Sequence, residues 1–165
     1  GHIGTRVVRL LKPFGCRILV HDPYVELSAR DREDGVEPAS LDALLAEADV
    51  VTLHPRVTGE TRGMMNAERF GAMKRGAYLV NTARGPLVDY DALTGALRSG
   101  RLGGAALDTF GIEPVPADWA LLDLPNVTLT PHIAGASVKT VTIAAEAAAE
   151  ELRRFIAGEP PLNPC

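Results

Sequence analysis

Short apolar runs alternate with stretches in which apolar residues recur every three or four positions. RILVHD (17–22), DVVTLH (49–54), GAYLVNTA (76–83), LGGAALDTF (102–110) and NVTLTPH (126–132) have the length and composition of strands. Pro23 stops the first of them. Helical patterns lie between. SLDALLAEA (40–48) opens on Ser40 as N-cap, NAERFGAMK (66–74) on Asn66, and DYDALTGALRSG (89–100) ends at Gly100. A helix is also under way by the fifth residue. The run from Ser137 to Gly158 is one long helix, with Val138, Val141, Ala145, Ala148, Leu152 and Phe155 on a single face.

Strands that alternate with helices imply a parallel sheet covered on both faces. Connection rules then favour a doubly wound α/β domain of Rossmann type. That domain is expected over residues 1–158, with the Pro-rich 159–165 as an exit segment.

The first residues add a chemical signal. The phosphate-binding turn of a dinucleotide fold reads G-x-G-x-x-G and is followed about 20 residues later by an acidic residue that meets the ribose hydroxyls. GHIG supplies the last two glycines, Gly1 and Gly4, and Asp22 closes RILVHD eighteen residues after Gly4. The chain is therefore expected to start inside the fingerprint, with the first strand upstream. A carboxylate at Asp22 accepts hydrogen bonds from a ribose 2′-hydroxyl and repels a 2′-phosphate, so NAD is expected over NADP.

Composition narrows the classes. The 165 residues are 46% hydrophobic and carry a net charge of −4, which suits a globular domain and gives no basic face for nucleic acid. No apolar run reaches membrane-spanning length. Cys16 and Cys165 have no motif spacing and read as free thiols in a reducing compartment, consistent with a cytoplasmic protein. No metal-ligand spacing is present.

Three further segments, NTARGPLVD (81–89), LDTFGIEP (107–114) and LTPHIAG (129–135), each end or follow a strand. Ligands of parallel α/β sheets sit at the carboxyl ends of the strands. Arg84, Glu113 and His132 can therefore share one crevice. An imidazole suits proton transfer to a carbonyl oxygen near neutral pH. A neighbouring carboxylate would fix its tautomer and favour its charged form, and a guanidinium fork suits a substrate carboxylate.

These segments, together with ETRGMMNAERFGAMKRGAYLVNTARGPLVD and LPNVTLTPHIAGAS, resemble the NAD-dependent D-2-hydroxyacid dehydrogenases over essentially the whole chain. The resemblance implies hydride transfer between NAD and C2 of a small 2-keto or 2-hydroxy acid. In it, Arg84 clamps the substrate carboxylate, His132 is the acid–base, and Glu113 pairs with His132. It further implies pyrophosphate binding at Gly1, His2, Ile3 and Gly4, ribose binding at Asp22, and a nicotinamide side formed by Pro55, Thr82, Ala83, Arg84, Asp108, His132, Ala134 and Gly135. A substrate domain outside this chain and a homodimer are implied as well. Relatives that oxidise formate carry Gln at the Glu113 position, so Glu113 argues against that reaction. An NAD-sensing corepressor without turnover is the alternative from another class. One departure stands out: the family usually has Pro-Leu-Thr where this chain has Arg56-Val57-Thr58. The resemblance implies that the loop carrying Trp119 approaches the cleft, and the sequence leaves the role of Trp119 open. His21 and His54 are expected to be structural.

Overall fold

The computed structural model describes residues 1–33 and 35–162, with Arg30 described by its backbone alone. Cys165 and the end of the 159–165 exit segment lie outside the described residues. The chain forms two compact units, Gly1–Pro131 and His132–Cys165.

In the first unit the elements run α1 (His2–Leu11), β1 (Ile18–Val20), α2 (Ala29–Glu33), β2 (Val36–Pro38), α3 (Leu41–Glu47), β3 (Val50–Leu53), α4 (Ala67–Ala72), β4 (Tyr78–Asn81), α5 (Tyr90–Arg98), β5 (Gly104–Leu107) and β6 (Val127–Leu129). Every strand pairing is parallel. β1 pairs with β2, and β3-β4-β5-β6 form a four-stranded sheet in chain order. The expected strands are all present, one to three residues shorter at their ends because turns consume the flanking positions. α2 and β2 were not legible in the sequence: each is only three to five residues long and carries no apolar period.

The helices start where their caps dictate. The side chains of Ser40, Asn66 and Asp89 accept hydrogen bonds from the N–H groups of Ala43, Arg69 and Ala92 at 3.2, 3.0 and 3.0 Å. α4 is closed by Arg101, whose guanidinium donates to the carbonyls of Phe70, Gly71 and Met73 at the helix C-terminus, where a cation is favoured.

Burial is one-sided. Val51, Leu53, Leu79, Ala105 and Leu107 point to the face packed on Leu45 of α3, Phe70 of α4 and Leu93 and Leu97 of α5. Val50 and Tyr78, on the other face, are 55% and 52% exposed. Within the described residues α1 buries none of its side chains. The ring of Tyr78 instead lies across β5, where a Cβ at Gly104 would come within 2.9 Å of it and 2.8 Å of the Asn126 carbonyl.

The second unit is α6 (Val138–Ile156), capped by Ser137, whose hydroxyl accepts from the Thr140 N–H at 3.0 Å. Its apolar stripe is formed as expected, with Val138, Val141, Leu152 and Phe155 all exposed. Gly158, at φ 70°, follows the helix end in the left-handed conformation that favours glycine.

Candidate active site

The sheet places its polar chemistry at the carboxyl ends of the strands. α1 begins at Gly1, and the Gly1 nitrogen lies 3.7 Å from Asp22 Oδ2, just past the end of β1. Asp22 Oδ1 also accepts from the Tyr24 N–H at 3.0 Å, which fixes the carboxylate. Gly4 faces His54 at the end of β3; a Cβ there would sit 3.7 Å from the imidazole, an ordinary contact. The two glycines and the acidic residue singled out in the sequence are thus gathered at one helix start. A helix N-terminus with glycine backbone and a carboxylate at the next strand end fits a dinucleotide: N–H groups for its pyrophosphate, an acceptor for its ribose hydroxyls.

His54 is half-buried. Its Nε2 lies 3.2 Å from the Thr52 hydroxyl, and burial holds its imidazole below the usual histidine range. His21 Nδ1 contacts the Ala39 carbonyl at 3.1 Å, a local structural bond.

A hollow of about 570 Å³ opens beside this helix start. Ile3, His54, Pro55, Arg56, Val57, Arg62, Thr82, Ala83, Arg84 and Pro86 line it. Five of the residues named from sequence, Ile3, Pro55, Thr82, Ala83 and Arg84, therefore share one cavity. Sequence reasoning missed Arg62 as a wall residue and passed over His54 as packing. A cation following a strand-end loop was the available signal for Arg62, and it is a weak one.

Arg84 is presented by a rigid turn. The buried Asn81, in the last position of β4, accepts from the Ala83 N–H at 3.0 Å and donates from Nδ2 to the Arg84 carbonyl at 2.9 Å. Gly85 then packs directly on the loop after β5: a Cβ there would lie 2.0 Å from the Phe110 carbonyl carbon. The Arg84 guanidinium is exposed and donates to the Ala83 carbonyl at 2.8 Å.

That second loop carries Glu113. Its Oε1 accepts from the Phe110 N–H at 2.9 Å. Phe110 is itself held edge-on against Trp119, whose ring also meets Tyr90, with centroids 5.7 and 5.1 Å away. Trp119 is half-buried in this aromatic stack. Tyr90 donates to the Thr109 carbonyl at 3.1 Å, and burial pushes its phenol up to about 12. Asp108 is 3% exposed and its Oδ1 accepts from the Thr130 hydroxyl at 2.5 Å, a contact that ties β5 to β6.

In the second unit, His132 stands three residues beyond β6 with φ 53°, the one described non-glycine residue in the left-handed region. It is exposed, as are Ala134 and Gly135. Among the described residues no His, Cys, Asp and Glu group has metal-binding geometry, and no helix is long and apolar enough to cross a membrane.

Comparison with known proteins agrees with this geometry. Residues 1–134 match the profile of the D-isomer specific 2-hydroxyacid dehydrogenase, NAD binding domain. A glyoxylate reductase of Korarchaeum cryptofilum is 47% identical over 163 residues, covering 99% of this chain and 49% of that protein. The chain thus spans about half the length of this relative. A D-isomer specific 2-hydroxyacid dehydrogenase from Xanthobacter autotrophicus, solved in complex with NADPH and MES, superposes with a TM-score of 0.88 at 37% identity, over 99% of this chain and 66% of that one. A D-lactate dehydrogenase from Aquifex aeolicus, complexed with NAD and lactic acid, gives 0.86 at 37% identity, over 96% and 52%. The parallel sheet, the Gly1–Gly4 turn with Asp22, and the profile match place the chain in the D-isomer specific 2-hydroxyacid dehydrogenase family, as its NAD-binding domain.

Proposed function

We propose that the full-length protein interconverts a 2-keto acid and a D-2-hydroxy acid with NAD(H), as a homodimer in the cytoplasm. One observation carries the reading: Arg84 opens into the same hollow as Ile3 of the glycine turn and Pro55, Thr82 and Ala83. A guanidinium is thereby set beside the place where a dinucleotide would run. When bound, the nicotinamide supplies the hydride for reduction or takes it in oxidation.

The chain's own residues have separate tasks. Gly1, His2, Ile3 and Gly4 would hold the pyrophosphate and Asp22 the ribose, while Pro55, Thr82, Ala83 and Asp108 would border the nicotinamide with Ala134 and Gly135. Arg84 grips the substrate carboxylate through two parallel N–H donors and so orients the adjacent carbonyl. His132 gives a proton to the carbonyl oxygen during reduction and recovers it during oxidation. Glu113 would accept from the other ring nitrogen and so fix the tautomer. A substrate domain contributed by the rest of the protein would close over the cleft and exclude water.

The test is a panel of 2-keto acids with NADH and with NADPH on the full-length protein, followed at 340 nm. Turnover of at least one acid is expected, with NADH preferred because Asp22 repels a 2′-phosphate. Absence of turnover on every acid contradicts the proposal, and a preference for NADPH contradicts the role of Asp22.

A further inference from the structure

We propose that Arg56 and Arg62 form a second anion subsite beside Arg84, so that the preferred substrate is a 2-keto acid with a second negative group, carboxylate or phosphate, on its tail. This inference rests on the oxidoreductase reading above and sharpens its substrate class.

The hollow's wall contains three arginines and no Asp or Glu. Arg17, Arg69, Arg101 and Arg153 meet protein acceptors, whereas the guanidinium groups of Arg6, Arg75 and Arg98 have none among the described residues, so it is the gathering of three arginines on one acid-free wall that marks the hollow. At the hollow, Arg84 donates only to the Ala83 carbonyl, and the guanidinium groups of Arg56 and Arg62 have no hydrogen bond or ion pair among the described residues. Three cationic residues border one hollow with no acidic residue on its wall, so an anion entering it is attracted by all three. One carboxylate satisfies one guanidinium fork. A singly charged acid such as glyoxylate would engage Arg84 and leave two cations unmatched.

The arginines stand on a prepared backbone rather than a loose loop. The Thr61 hydroxyl donates to the Arg56 carbonyl at 2.6 Å, and the Thr58 N–H donates to Thr61 Oγ1 at 2.8 Å. The Arg62 N–H closes the turn onto the Thr58 carbonyl at 3.1 Å. The Arg84 turn is tied to the same segment, with Gly63 N–H to Pro86 O at 2.8 Å and Met65 N–H to Leu87 O at 3.0 Å. Two loops bearing all three guanidinium groups are thus stapled together, which lowers the ordering cost of a divalent grip.

The experiment compares kcat/KM with NADH in the full-length protein for pyruvate and glyoxylate, for oxaloacetate and 2-oxoglutarate, and for 3-phosphohydroxypyruvate. At least one doubly anionic acid is expected to exceed the singly charged ones by about tenfold or more. The dicarboxylate and phosphate arms decide which group the subsite takes. Arg56→Ser with Arg62→Ser should lower the ratio of doubly to singly charged substrate by about ten- to a hundredfold, and the paired Lys variant should retain most of it. Both residues are exposed, so the thermal midpoint of either variant should match wild type. Wild-type turnover of glyoxylate or pyruvate with no preference for any doubly charged acid overturns the subsite and leaves the oxidoreductase reading standing. A loss that appears only as a higher KM for NADH, equal for all acids, overturns it too, by turning the pair toward the cofactor. No turnover on any acid removes both readings.

Discussion

His132→Ala in the full-length protein is expected to lower kcat by about 10²- to 10⁴-fold, the range that general acid–base catalysis contributes. The thermal midpoint should hardly move, because the side chain is exposed. The backbone supports this assignment. His132 is held at φ 53°, a conformation that costs a non-glycine residue of order 1 kcal/mol or more and persists where the surroundings or function demand it. His132→Gly therefore separates the two explanations: it should be as stable as wild type or more so, yet equally inactive. Glu113→Gln supplies a finer readout. If Glu113 orients the imidazole as proposed, this variant should lower kcat while leaving the KM for the keto acid near wild type. Near wild-type turnover in either His132 variant, measured by steady-state oxidation of NADH, removes His132 from the chemistry.

Gly85→Ala is expected to be the most damaging single substitution in the first unit. The added Cβ would lie 2.0 and 2.1 Å from the Phe110 carbonyl carbon and oxygen and 2.4 Å from the Gly111 nitrogen. All three are backbone atoms, so no rotamer change relieves the overlap, and the two loops must separate. Overpacking of side chains costs about 1–3 kcal/mol; a backbone collision should reach or exceed the upper end of that range. The substitution also moves the turn that presents Arg84 away from the loop that presents Glu113, so activity should fall along with stability. Thermal unfolding checks the first effect and the keto-acid assay the second. A Gly85→Ala protein with a wild-type midpoint would show that the loops do not meet as closely as this packing requires.

Much of this architecture was legible in the sequence, for reasons that differ by element. The strands at 49–54 and 76–83 announced themselves because central parallel strands are short apolar runs, α3 and α4 because Ser40 and Asn66 cap them, and α5 because Gly100 closes it. Spacing singled out Gly1, Gly4 and Asp22, which lie together at one helix start, and Arg84, which lines the hollow beside it. The site was less legible where packing decides. The role of Trp119 was not readable, because its stack with Phe110 and Tyr90 is a packing contact that leaves no sequence pattern. Arg62 joins the hollow only because the Thr58–Thr61 turn folds it back, a geometry set by hydroxyl hydrogen bonds that leave no apolar period. Asp108 shows the reverse: its buried bond to Thr130 explains the residue locally, alongside the role expected from resemblance.

The most direct test of the central claim is a crystal structure of the full-length protein with NAD and an unreactive mimic of a 2-keto acid. The account predicts the mimic's carboxylate on the Arg84 guanidinium in a two-donor grip, its carbonyl-equivalent oxygen within hydrogen-bond reach of a His132 ring nitrogen, and Glu113 on the other. A carboxylate seated elsewhere, with Arg84 still donating to the Ala83 carbonyl and His132 remote from the ligand, would contradict it.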